Sequence, residues 1–240
     1  MGRAHEVRKV AMAKTAAAKS KLYAKYGKEI YMAAKSGEPD PEMNQALKSI
    51  IEKAKKDQVS ADVIKRAIEK AKGGSGEDYT AVRYEGFGPG SSILIVECLT
   101  DNVNRTIAEV RNCFTKTGGK IGVTGSATHM FNHQSVFVLP NVTEEEVLEI
   151  LIENDVDVSE IEADESSVTL IGEATDYNKI KTAVLNSKPD AEFETDEIMW
   201  TPMMETTVEG EDKDKFNRLL DMLNELDDVQ EIYHNVNLEK

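Results

Sequence analysis

The spacing of apolar and polar positions divides the chain into a helical head and a longer mixed remainder. Between residues 13 and 36, Leu22, Tyr26, Ile30 and Ala33 recur at four- and three-residue steps in a segment rich in alanine and lysine. That period lays an apolar stripe along an α-helix, and both residue types favour one. Gly37 stands where such a helix ends and Pro39 follows it, the usual pairing of C-cap and breaker. A second helix is expected from Asp40 as cap and Pro41 in the first turn, with Leu47, Ile50, Ile51 and Ala54 as its buried face. A third starts at Ser60, where Val59 can staple onto Ile64. The polar run GGSGED, Gly73 to Asp78, then reads as a linker.

Beyond the linker the period shortens. Residues 80–85 and 92–99 read as strands, and Val103, Ile107, Val110 and Phe114 mark a helix that Gly118 and Gly119 end. Residues 127–131 read as another strand. From Gln134 the order is strand (135–139), helix (143–154), strand (156–161), strand (167–171), helix (177–185), strand (192–199), the βαββαβ pattern of ferredoxin-like folds. The tail adds a helix bearing Phe216, Leu219, Leu220, Leu223 and Leu226, and a strand at 229–234. Those last elements have no place in the βαββαβ unit, whereas the middle segment lacks a second helix and a closing strand. The expected fold is therefore α+β with three domains. These are a basic three-helix domain (1–76), a discontinuous α/β domain (77–133 and 205–240), and a ferredoxin-like domain (134–204) inserted into it.

Charge sharpens this division. The net charge of −15 averages a head, residues 1–72, with 17 basic and 9 acidic residues (+8) and a remainder with 12 and 35 (−23). A basic head can meet a polyanion, while the acidic body repels one. No apolar run is long enough to span a membrane, and MGRAHEVRKV has no signal-peptide core, so a cytoplasmic setting without membrane partners is expected. Cys98 and Cys113 form no CxxC pair and read as buried hydrophobes.

Enzymatic readings find little support. YEGFGPG, Tyr84 to Gly90, lacks the lysine and spacing of a P-loop, and a strand follows it where a phosphate site needs a helix N-terminus. It reads instead as a tight turn in which glycines supply positive φ. His129 and His133 stand four apart at a strand end with no third ligand in sequence. Glu144, Glu145 and Glu146 follow Thr143 as a capping box. No catalytic residue, metal ligand, cofactor or small-molecule substrate is expected. The basic stripe differs. Lys14, Lys21, Lys25, Lys28 and Lys35 fall within an arc of about 80° on one helical face, and Arg8, Lys9 and Lys19 add to the segment. These eight residues are the candidate nucleic-acid contacts on a solvated face, supplying affinity and position more than base reading. A protein-interaction adaptor, with the acidic body as binding surface and the head merely packing, is the competing class.

The motif YEGFGPG followed by DNVNRTIAEVRNCFTKTGGKIGVTGSATHMF, Asp101 to Phe131, resembles the YebC/PmpR family, which includes the mitochondrial translational activator of cytochrome c oxidase. The similarity takes in EIYMAAKSGEPDPEMN in the head and DVQEIYHNV in the tail. Val10, Ala11 and Met12 depart from it, standing where many members carry basic residues. The resemblance implies a non-enzymatic cytosolic protein of three domains. Members are described as DNA-binding transcriptional regulators and as ribosome-associated factors that relieve stalled translation, so DNA or ribosomal RNA is the implied partner. It also marks Tyr84, Gly86, Gly88, Pro89 and Gly90 in the loop, and Asp101, Asn102, Asn104, Arg105 and Arg111 in the helix that follows, as family-signature positions.

Overall fold

In the computed structural model of the chain, residues 19–74 and 78–238 are described. The elements run α1 Lys19–Ser36, α2 Gln45–Lys56, α3 Ala61–Lys72, β1 Thr80–Phe87, β2 Ile93–Thr100, α4 Val103–Lys116, β3 Lys120–Ile121, β4 Phe131–Pro140, α5 Glu144–Glu153, β5 Glu160–Ala163, β6 Ser167–Glu173, α6 Tyr177–Ser187, β7 Thr195–Pro202, α7 Gly210–Asn224 and β8 Val229–His234. Helices and antiparallel sheets coexist as an α+β protein. The chain divides into two compact units, one spanning residues 128–205 and the other formed by the segments before and after it. The sequence reading counts the helical head as a domain of its own. Here the head falls in the same unit as β1–β3, α7 and β8, although it keeps a separate core.

That head core is built from Ile30, Tyr31 and Ala34 of α1, Leu47, Ile51 and Ala54 of α2, and Ile64 and Ala67 of α3. The second helix starts later than Asp40 and Pro41 suggest. The Asp40 carboxylate accepts the Glu42 N–H at 3.0 Å and its carbonyl accepts the Met43 N–H at 3.1 Å, closing a local turn. Asn44 caps α2 instead, accepting the Leu47 N–H at 3.0 Å while its own amide donates to the Ala33 carbonyl at 2.9 Å. The end of α1 thus helps to choose the start of α2.

The sheet of the same unit has the order β3-β1-β2-β8, each neighbour antiparallel. Tyr84, Leu94, Val96, Val110, Phe114, Phe216, Leu219 and Leu223 pack α4 and α7 on it. The unit of residues 128–205 has the sheet order β5-β6-β4-β7, again antiparallel, with α5 and α6 in its core through Val147, Ile150, Leu151, Ile180 and Val184. Thr143 and Glu146 complete the capping box at α5. Three strand expectations shift, the last strand of this unit lying at Thr195–Pro202 instead of 192–199. Residues 128–130 form a 3-10 turn, and Phe131 opens the long β4 instead of closing a separate strand. Val156 is taken up in the C-terminal cap of α5, its N–H bonding the Leu151 carbonyl at 3.0 Å after Asp155 turns to φ 53°, so β5 begins only at Glu160.

Candidate nucleic-acid interface

Of the lysine stripe of α1, Lys21, Lys25 and Lys28 are half-buried against the rest of their unit, while Lys35 is exposed. Lys21 donates to the Asn224 carbonyl and Lys25 pairs with Glu231. Lys28 Nζ reaches Asp228 Oδ1 at 2.9 Å, the Asp227 carbonyl at 2.8 Å and the Leu99 carbonyl at 3.3 Å. Lys35, at the exposed end of the helix, pairs with Asp78, and that hydrogen bond raises its pKa. The expected solvated face is thus a docking face, because the turn from α7 into β8 supplies carbonyls and carboxylates where the lysines emerge. Arg8, Lys9 and Lys14 lie outside the described residues, and of Lys19 only the backbone, which opens α1, is described.

Asp228 is the centre of this contact, and sequence reasoning did not single it out. Its carboxylate also accepts from Thr100 Oγ1 at 3.0 Å, Thr106 Oγ1 at 2.8 Å and Arg105 Nη2 at 2.6 Å. Burial opposes its ionisation, but hydrogen bonds from Arg105, Lys28, Thr106 and Thr100 outweigh that and hold the carboxyl well below the usual range. Arg105, bound first to Asp228 and then to Asp101 at 2.8 Å, is held further above its ordinary value. The signature run DNVNRT therefore has a structural use. Asn102 caps α4 by accepting the Arg105 N–H at 3.1 Å, and Thr106 and Arg105 reach back to Asp228. Asn104 and Arg111 stay exposed on α4. Nearby Cys98 is pushed up to about 12, by burial and then by Asp228, and remains a neutral thiol.

The YEGFGPG loop is a packing device more than a positive-φ turn. Gly90 has φ 61° and Ser91 has φ 63°, but Gly88 has φ −99°. What Gly86 and Gly88 provide is close approach. A Cβ on Gly86 would lie 2.4 Å from the Phe114 ring, and one on Gly88 would lie 2.5 Å from Ser92 Oγ. Pro89 is buried, and Tyr84 packs in the core with its hydroxyl directed at the Val103 carbonyl. Between them, buried Glu85 accepts the Gly125 N–H at 2.7 Å and the Ala127 N–H, pinning the loop after β3. His133 stacks on Trp200 with centroids 4.5 Å apart.

Basic side chains that do face solvent lie elsewhere in the head. Lys55 and Lys56 at the end of α2 and Lys72 at the end of α3 are exposed. Lys65 and Arg66 on α3 make long surface pairs, with Glu69 at 3.9 Å and Asp62 at 3.8 Å. The sequence signal for these residues was present, but no single helical stripe aligned them.

The α1 lysines of the helical head are held by the α7–β8 turn of the same unit, and no helix among the described residues is long and apolar enough to cross a membrane. The TACO1/YebC protein N-terminal domain matches residues 3–74, and the TACO1/YebC second and third domain matches residues 79–236. The chain belongs to the TACO1/YebC family. A "probable transcriptional regulatory protein" of Pseudoalteromonas atlantica is 58% identical over 240 residues, covering 100% of this chain and 99% of the relative. One of the same description from Acholeplasma laidlawii is 56% identical, covering 98% of each chain. The crystal structure of a conserved hypothetical protein from Aquifex aeolicus superposes with a TM-score of 0.77 at 34% identity, over 95% of this chain and 96% of that one.

Proposed function

We propose that this chain is a non-enzymatic nucleic-acid-binding regulator of gene expression, acting on DNA, on the ribosome, or on both, in the cytoplasm. The head would bind the polyanion, and the discontinuous α/β part and the ferredoxin-like part would form two further domains. The observation that carries this reading is the charge division, +8 over residues 1–72 against −23 over the rest. Concentrating positive charge in one segment of an otherwise acidic chain directs a polyanion to that segment and limits non-specific adhesion elsewhere. The relatives' description as transcriptional regulatory proteins supports the same reading. The engagement of Lys25 and Lys28 by the body favours a second reading, in which the head merely packs and the acidic body binds basic protein surfaces.

Two assays in one buffer separate them. Retention of duplex DNA is measured against salt, and co-sedimentation with ribosomes is measured alongside. Salt-sensitive binding in either supports the regulator. Absence of binding in both leaves the adaptor.

A further inference from the structure

We infer that duplex DNA is met by the basic side chains on either side of the α2–α3 turn, Lys55, Lys56, Lys65 and Arg66, and not by the lysine stripe of α1. This rests on the nucleic-acid reading above and names the face that carries it. The first ground is elimination by geometry. The ammonium groups of Lys21, Lys25 and Lys28 are held by the body, and a phosphate would have to displace carboxylates and carbonyls to reach them. The α2 and α3 side chains carry no such burden. Lys65 and Arg66 are 75% and 76% exposed, and their partners Glu69 and Asp62 are exposed pairs of the kind worth little. Phosphates can replace them.

The second ground is preorganisation. Helices α2 and α3 are joined by a four-residue connection, residues 57–60, the connection length of a helix-turn-helix. Here α1 fixes the connection. Tyr23 Oη donates to the Gln58 carbonyl at 3.0 Å, and Tyr26 Oη donates to the Asp57 carboxylate. Gln58 turns to φ 59°, and buried Val59 bonds its N–H to the Ala54 carbonyl at 2.8 Å. The last turn of α2 and the first turns of α3 are therefore held relative to one another before any partner arrives, so binding costs little ordering.

The third ground is charge. Residues 45–72 hold eight basic and four acidic side chains. The acids are Glu52, Asp57, Asp62 and Glu69; Asp57 accepts from Tyr26, and Asp62 and Glu69 make the long pairs with Arg66 and Lys65. The positive end of the α3 dipole lies at the same turn. Helices presented in this way place the second helix against the duplex, with the flanking residues on its phosphates.

The test uses the full chain, a mixed-sequence DNA duplex and an RNA duplex of matching sequence, with affinity followed from about 50 to 200 mM salt. Lys55→Gln/Lys56→Gln/Lys65→Gln/Arg66→Gln is compared with Lys21→Gln/Lys35→Gln, with folding checked by circular dichroism. The fourfold variant is expected to lose at least about tenfold in DNA affinity, and its log–log salt slope should shrink by about 3–4, as the loss of four phosphate contacts requires. The α1 variant should bind as wild type does. Should the fourfold variant not fold, Lys55→Gln/Lys56→Gln should reduce the slope by about 2. A folded variant with wild-type affinity, or an equal loss in the α1 variant, overturns the inference and leaves the nucleic-acid function standing. Loss confined to the RNA duplex overturns the assignment to DNA. Wild-type protein that binds neither duplex overturns the inference and the DNA arm of the reading above, while co-sedimentation with ribosomes decides the other arm.

Discussion

Lys28 and Asp228 meet at 2.9 Å across 200 residues of sequence, with their side chains only 14% and 6% exposed. Asp228 is the common acceptor for Lys28, Arg105, Thr100 and Thr106. Removing the acceptor should cost more than removing one donor. Asp228→Ala is expected to destabilise by about 3–5 kcal/mol, because it leaves buried donors uncompensated. Lys28→Ala should cost about 1.5–3 kcal/mol, since three donors remain on the carboxylate. Urea denaturation of both variants measures this, and equal costs would contradict the central place given to Asp228.

The C-terminal strand adds a pH dependence. His234 stacks edge-on against Phe216, and burial pushes it down to about 4. In the unfolded chain it titrates near about 6.5. The unfolded chain therefore binds more protons between those values, and stability should fall as pH drops from about 6.5 towards 4. Asp228, whose carboxyl is held low, keeps its contribution above its unfolded value of about 3.9 and loses it only at more acid pH. His234→Phe should flatten the upper window by about 1–3 kcal/mol and leave the lower one. Denaturation midpoints at several pH values between neutrality and 4 decide it. A wild-type slope that persists in the variant would count against this cause.

Glycine substitutions should take opposite signs. Gly86→Ala drives a Cβ into the Phe114 ring and should cost about 1–3 kcal/mol. Gly27 lies inside α1 with nothing within 4 Å of an added Cβ, so Gly27→Ala should stabilise by about 0.5–1 kcal/mol. Melting temperatures read both. ATP or GTP should leave the wild-type melting temperature unchanged, because the YEGFGPG backbone is engaged in packing.

Much of this fold could be read from local pattern. The periods of α1, α4 and α7 and the Thr143 cap were plain because each is settled within one or two turns of chain. Strand β3, only two residues long, has no period to show, and the start of α2 was set by Asn44 reaching the end of α1. The candidate site was less legible for the same reason. Helical arithmetic aligned Lys21, Lys25 and Lys28 correctly, but it could not say that Asn224, Asp228 and Glu231 would be waiting opposite them. The density of glycine in YEGFGPG marks an unusual backbone in the sequence, while the use of Gly86 and Gly88 as close-approach sites depends on Phe114 and Ser92 in the folded state.

The most direct test of the account is lysine acetylation of the full chain, mapped by mass spectrometry with and without duplex DNA. In free protein Lys55, Lys56, Lys65 and Lys72 should react readily, as exposed amines do, while Lys25 and Lys28 should react slowly because the body holds them. Adding DNA should protect Lys55, Lys56 and Lys65 and leave Lys25 and Lys28 as they were. Protection of Lys21, Lys25 and Lys28 by DNA, with Lys55, Lys56 and Lys65 still reactive, would contradict it.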